Sequence, residues 1–369
     1  MSVLFSPITL RSVTLANRIM ISPMCQYSAK DGEATDWHMI HLGHLALSGA
    51  GMMSIEATGV EPEGRISPAD HGLYNDATEA ALKRVLTAIR RYSDIRVAIQ
   101  LSHAGRKAST NVPWEGGAQI PLDKGGWVPS APSPIPFRDG EINPRPLDDA
   151  GLARVRNAFA DSAKRAARLG IDAIEVHCAH GYLLHEFLSP LSNQRTDSYG
   201  GSLENRMRFP LEVFDAVRAA FPADKPVGVR VSATDWIEGG WDLPQTIAFA
   251  AELKKRGVDW VDASSAGLSM AQKIAIGPGY QVPFAEGIKK ATGITTMAVG
   301  LITEAKQAEE ILASGKADMI VLARAMLYDP RWPWHAAAEL GATVSAPSQY
   351  LGAKPMQIQT LFEGRKPKA

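Results

Sequence analysis

The sequence predicts an α/β protein, a (β/α)8 TIM barrel with a long excursion after its third strand. Three observations lead there: eight short apolar runs spread over 369 residues, amphipathic stretches of helical period between them, and polar clusters just after six of the runs. Parallel strands of a barrel are buried on both faces, so they read as continuous apolar runs instead of alternating ones. Eight alternations of strand and helix point to closure into a barrel over an open sheet.

In order, the runs are NRIMISP at residues 17 to 23, MMSIEATGV near 55, VAIQLS near 99, IDAIEVHC near 175, VGVRVSA near 230, VDWVDASS near 261, TTMAVG near 297 and DMIVLARA near 321. Between them, AALKRVLTAIRRY, LARVRNAFADSAKRAARLG and IAFAAELKKRG place apolar residues at helical spacing, and several such stretches stop at Gly, as C-capped helices do. Two segments break the rhythm. Residues 108 to 146, crowded with Pro and Gly, form the excursion, either a lid over the site or a surface decoration. The tail from Ala346 has no helical pattern and is expected to be loose or packed on a neighbouring subunit. The chain thus divides into one barrel domain, residues 1–345, and a C-terminal tail, 346–369.

Composition narrows the function classes. Hydrophobic residues at 45% supply a large core, and 39 basic against 39 acidic residues leave no overall charge to draw in nucleic acid or an anionic membrane. No apolar stretch reaches 18 residues and the N-terminus lacks a signal-peptide pattern, so a soluble, cytoplasmic protein is expected. Two cysteines, Cys25 and Cys178, fit a reducing compartment and cannot ligate an iron–sulfur cluster that needs four thiolates.

Active-site groups of such barrels sit at the carboxyl ends of the strands. There the chain places SPMCQYS, QLSHAGRK, EVHCAHGYL, RVSATDW, SSAGLS and VGLIT. His177 and His180, three residues apart, can face one cavity; taken alone they read as substrate donors, as a metal pair or as core histidines. Metal ligation needs a third ligand, and no metal is expected. His38, His41 and His44 invite a zinc reading, but on a helix His44 falls on a different face from His38, so helix packing is the expectation. Cys178, between His177 and His180, reads as core.

Four stretches resemble the old yellow enzyme family: HxxHGYL at His177, His180, Gly181, Tyr182 and Leu183; RTDxYGGSLENRxRF from Arg195 to Phe209; QLxHAGR from Gln100 to Arg106; and SPMCQY from Ser22 to Tyr27. The cysteine in the last resembles the subgroup of xenobiotic reductases and thermophilic-like ene-reductases. This resemblance implies an FMN-binding barrel that takes hydride from NADPH, or NADH, and reduces the activated C=C bond of a small-molecule enone, enal, maleimide or nitroalkene, in a homo-oligomer, dimer or tetramer. It implies that His177 and His180 donate to the substrate oxygen, that Tyr182 gives a proton to the α-carbon, that Cys25 tunes the flavin and that Tyr27 assists on the substrate side. For a lone Cys, an inert buried thiol is the alternative, and for a lone Tyr, packing.

Flavin contacts implied by the resemblance are Ser22, Pro23, Met24, Cys25 and Ala57 along the ring, with His177 beside it, Gln100 at the pyrimidine edge and Arg230 by the N1 and C2 carbonyl region. The phosphate is expected at Gly300, Ala323 and Arg324. Ala323 stands where the family carries Gly, and its methyl is expected to crowd that loop. Lys107 is a further contact candidate. In place of the Arg or Trp that relatives insert from the tail, this chain offers Tyr350 and Lys354, and Val299 replaces a Trp of the subgroup, which is expected to enlarge the pocket. The reading from another class is a flavin-free barrel, either a metal-dependent lyase or a non-catalytic binding protein.

Overall fold

A computed structural model describes residues 2–365. Each of the eight apolar runs carries one barrel strand: β1 Ile19–Ile21, β2 Met52–Gly59, β3 Arg96–Ser102, β4 Ala173–Cys178, β5 Val227–Ser232, β6 Val261–Ser264, β7 Thr296–Ala298 and β8 Met319–Leu322. They pair in parallel in chain order, and β8 closes onto β1. Around them run helices α1 Asp36–Ala46, α2 Asp76–Arg90, α3 Asp149–Arg168, α4 Leu203–Ala220, α5 Leu243–Lys255, α6 Val282–Thr292, α7 Ala305–Ala313 and α8 Trp332–Glu339. Asn75, Asp148, Ser202 and Asp242 cap four of these, each side chain accepting the backbone N–H three residues on. Among the described residues, no helix is long and apolar enough to cross a membrane.

Successive side chains of a strand point to opposite faces. One face of each strand packs outward on the helices, as Ile99, Val176, Val229 and Ala263 do. The other fills the barrel, and its lower layer is apolar: Met20, Met52, Ala98, Ala173, Met297 and Met319 gather around Trp260. An antiparallel hairpin, Ile8–Leu10 with Val13–Leu15, closes this end with Leu10, Val13 and Leu15. Ligands can therefore reach the interior only from the opposite, carboxyl end. Space for Trp260 comes from Gly228 on β5, where a Cβ would meet the indole ring at 1.9 Å. Gly228→Ala is expected to destabilise the fold by about 1–3 kcal/mol, the usual cost of overpacking, read from the midpoint of urea unfolding.

The excursion is ordered. It contains turns of 3-10 helix at Pro113–Glu115 and Leu122–Lys124, and Ser130–Ala131 pairs with Arg145–Pro146. The tail differs from expectation as well: Val344–Pro347 pairs with Phe362–Arg365, and the Trp334 ring meets Tyr350 and Phe362 at centroid distances of 6.2 and 4.7 Å. A small apolar cluster around Trp334, Val344, Ala346 and Leu361 fixes the tail to its own chain. Tyr350 and Lys354 serve that packing, Lys354 donating to the Gln359 carbonyl. The last expected tail residues, 366–369, lie outside the described residues.

Candidate active site

Above the apolar layer the inward positions turn polar, and register aligns them. Gln100 lies opposite Glu175, His177 opposite Arg230, and Arg230 opposite Asp262. Glu175 Oε1 accepts from Gln100 Nε2 at 2.8 Å, and its Oε2 accepts from the Trp260 indole at 3.2 Å. Arg230 donates to Ser22 Oγ at 2.9 Å, and its Nε lies 3.3 Å from Asp262 without hydrogen-bond alignment. Burial pushes both carboxyls above the ordinary carboxylate range; their mutual repulsion adds to this for Glu175, and Arg230 opposes it for both. The result is a rigid floor with one guanidinium and one amide on it.

Beyond β4 the chain turns through His180 at φ +60° and Gly181 at φ +74°. A side chain at Gly181 would strike the Gly267 carbonyl at 2.1 Å, so the turn needs glycine there. His180 N–H donates to Ser232 Oγ at 2.9 Å, and the Lys107 ammonium donates to the carbonyls of His180 and Gly267 at 2.8 and 3.0 Å. This turn brings the His177 ring within 5.1 Å, centroid to centroid, of both His180 and Tyr182, edge to face.

Both imidazoles are neutral. Burial, then Arg230 and neighbouring cationic groups, holds each well below the usual histidine value. His177 Nδ1 accepts the Ala179 N–H at 3.3 Å, so its proton sits on Nε2. Ser264 Oγ lies 2.8 Å from His180 Nε2 and donates to Gln281 Oε1 at 3.5 Å. Burial, with Cys25, Tyr27 and Asp70 adding to it, raises the Tyr182 phenol well above its ordinary value.

The Ser22–Tyr27 loop faces that turn. Gln26 N–H donates to Glu56 Oε2 at 2.8 Å, and Tyr27 adopts φ +49° with its ring edge-on to Trp114 at 5.9 Å. Cys25 is only partly buried and Cys178 fully so. Burial, then Asp70 and Glu56, keeps the Cys25 thiol protonated.

Two cavities open on this end of the barrel. One of about 340 Å³ is walled by Tyr27, Lys107 and Tyr182, and by Asn111, Phe137 and Arg138 of the excursion. Residues of the excursion thus line a cavity at this end of the barrel. A second cavity, of about 180 Å³, lies between Arg230, Gly300, Ala323 and Arg324. Among the described residues, no turn or loop hydrogen bond takes the N–H of Gly300, Ala323 or Arg324. Open N–H groups beside Arg324, an amide at Gln100 and a cation at Arg230 fit a phosphate joined to a polar heterocycle. Ala323 has φ −105°, a negative value that asks for no glycine. Val299 lines this second cavity.

Several residues escape a reading of the sequence. Glu175 and Asp262 carried a signal, a carboxylate inside an otherwise apolar parallel strand, where burial demands a partner. Phe137 and Arg138, which wall the first cavity, and Tyr280 and Gln281, which line the second, gave none. His38 Nε2 lies 3.1 Å from Glu56 Oε1, beneath the Cys25 loop. Among the described residues, no three His, Cys, Asp or Glu side chains are placed to hold a metal ion.

Residues 3–342 match the NADH:flavin oxidoreductase / NADH oxidase family. An NADPH dehydrogenase of Geobacillus thermodenitrificans is 46% identical over 351 residues, 95% of this chain and 98% of that one. An NADH:flavin oxidoreductase of Gibberella zeae is 46% identical over 380 residues, covering 98% and 89%. Among solved structures, morphinone reductase superposes with a TM-score of 0.76 at 28% identity, covering 98% of this chain and 94% of that one. Barrel, mouth and kinship agree: the chain belongs to the NADH:flavin oxidoreductase / NADH oxidase family and is an oxidoreductase of the old yellow enzyme type.

Proposed function

We propose that this enzyme reduces the C=C bond of small enones, enals, maleimides or nitroalkenes, with FMN as its resident cofactor and NADPH, or NADH, as the source of electrons. The observation that carries this is the convergence of His177, His180 and Tyr182 at ring separations of 5.1 Å, above the floor that holds Gln100 and Arg230. FMN would lie with its phosphate at Gly300, Ala323 and Arg324, its pyrimidine edge at Gln100 and Arg230, and its ring along Ser22–Cys25 and Ala57. When bound and reduced, it supplies a hydride equivalent for the β-carbon of the alkene.

The protein does the rest. His177 Nε2–H and a ring N–H of His180 bind the carbonyl or nitro oxygen, and because both rings are neutral they donate without surrendering a proton. As hydride arrives, negative charge grows on that oxygen, and two fixed donors in a dry site stabilise it more than they stabilise the neutral substrate. Tyr182, a weak acid weakened further by burial, gives its proton to the α-carbon only once carbanion character has developed there. Cys25, held as a neutral thiol, can act on the flavin only through its dipole and S–H.

A purified sample that absorbs as a flavoprotein and bleaches with NADPH supports this reading; a colourless protein that takes up no FMN refutes it. Tyr182→Phe is expected to slow reoxidation by a weakly activated alkene by roughly 10²-fold while leaving reduction by NADPH nearly unchanged, as measured by anaerobic stopped-flow absorbance.

A further inference from the structure

His185 and Asp235 have fully buried side chains, and no role above uses them. His185 sits on the short helix Leu183–Leu188 that follows Tyr182, and Asp235 on the loop after β5. The Gly181 N–H donates to His185 Nδ1 at 2.9 Å. A ring nitrogen that accepts carries no proton, so the His185 proton is on Nε2, which lies 3.0 Å from Asp235 Oδ1, although the N–H does not point squarely at that oxygen. Asp235 is itself fixed: its Oδ2 accepts from Ser189 Oγ at 2.7 Å and from the Trp241 N–H at 2.8 Å. Burial would raise this carboxyl, but the His185 contact and these two donors outweigh it and hold it below its ordinary value.

We propose that Asp235 and His185 are positioning residues for the reaction assigned above: Asp235 selects the His185 tautomer whose bare Nδ1 holds the Gly181 N–H, and so locks the left-handed turn that aims His180 and Tyr182. The turn needs such a lock, since a non-glycine residue at φ +60° is strained. Ser232 and Lys107 hold the His180 side of it; His185 alone holds the N–H of Gly181. With the opposite tautomer, two N–H groups would face each other there.

Two replacements separate positioning from simple packing. In His185→Asn the amide oxygen stands near the place of Nδ1 and keeps an acceptor for Gly181, but Asp235 loses its partner. In His185→Gln the amide reaches Asp235, but the acceptor for Gly181 is gone. The proposal expects opposite orders: the Asn variant unfolds at the lower temperature, whereas the Gln variant loses at least tenfold more in the rate of reoxidation by cyclohexenone, with reduction by NADPH and FMN content matching the parent in both. Reoxidation rates that are equal, or that follow the order of stability, overturn it. If the Asn variant does not fold, Asp235→Asn serves, since its amide can donate to Nε2 and move the proton to Nδ1; reoxidation should fall tenfold with reduction unchanged, and a parallel fall in both steps, or in neither, overturns the proposal. It rests on the ene-reductase reading, and Tyr182→Phe run beside these variants tells the two apart. If Tyr182→Phe leaves reoxidation unchanged, the functional reading fails; if it slows reoxidation but His185→Gln does not, only the lock fails.

Discussion

Replacing both His177 and His180 with alanine is expected to slow alkene reduction by at least roughly 10²–10³-fold, the usual cost of removing even one donor to a developing oxyanion. The protein should remain yellow. In the proposed placement of FMN neither ring belongs to the phosphate cradle or to the Gln100 and Arg230 floor, so the flavin should retain its main anchors. The loss should be confined to flavin reoxidation by cyclohexenone and absent from reduction by NADPH; a variant that reoxidises at the parent rate would end the assignment. A second consequence concerns pH. Burial, then Arg230, depresses both histidines, so they stay neutral through the range where an ordinary imidazole titrates, around ~6.5. The reoxidation rate of the parent should therefore show no step there, and a step that vanished in the double variant would contradict the neutral-donor mechanism.

How much of this was legible beforehand depended on what each level of structure needs. Barrel strands need only uninterrupted apolar runs, and all eight were visible as such. The alternation within them was hidden, because apolar helices lie on one side and an apolar lower layer on the other. Hence Glu175 and Asp262, which share the inner face across β3 to β6 with Gln100, His177 and Arg230, went unread, and those three were grouped only through the family resemblance. Motifs at strand ends drew the eye to His177, His180 and Tyr182. Nothing local could show that Phe137 and Arg138 come back over Tyr182, because that closure depends on a loop whose course is set by tertiary contacts. The tail was misjudged for a similar reason: Val344–Pro347 finds its partner strand in Phe362–Arg365 and its apolar cover on α8, neither of which leaves a periodic trace.

Arg230→Met is expected to have the largest effect on the fold itself, about 3–5 kcal/mol, because it leaves buried carboxyls without their cation. Asp262 and Glu175 are both completely buried, and Arg230 is the first opposing influence on each after burial and mutual repulsion. Their folded-state values already lie above the ordinary range. A carboxyl raised in this way contributes stability that is fully present below its unfolded value and is lost as pH climbs through the folded one. Without Arg230 the folded values rise further, so the loss extends to higher pH. Urea unfolding of flavin-free protein should then show a small deficit at low pH that widens steadily toward the alkaline side. A deficit independent of pH would mean that lost packing, and not the uncompensated carboxyls, is responsible. Adding Asp262→Asn to Arg230→Met should recover part of the stability at alkaline pH, since one buried charge has gone, yet it should recover none of the affinity for FMN if the guanidinium serves the flavin directly. That divergence would separate the two tasks of one arginine: countering the charge of the carboxyls beneath it, and presenting a fixed positive charge to the ring above.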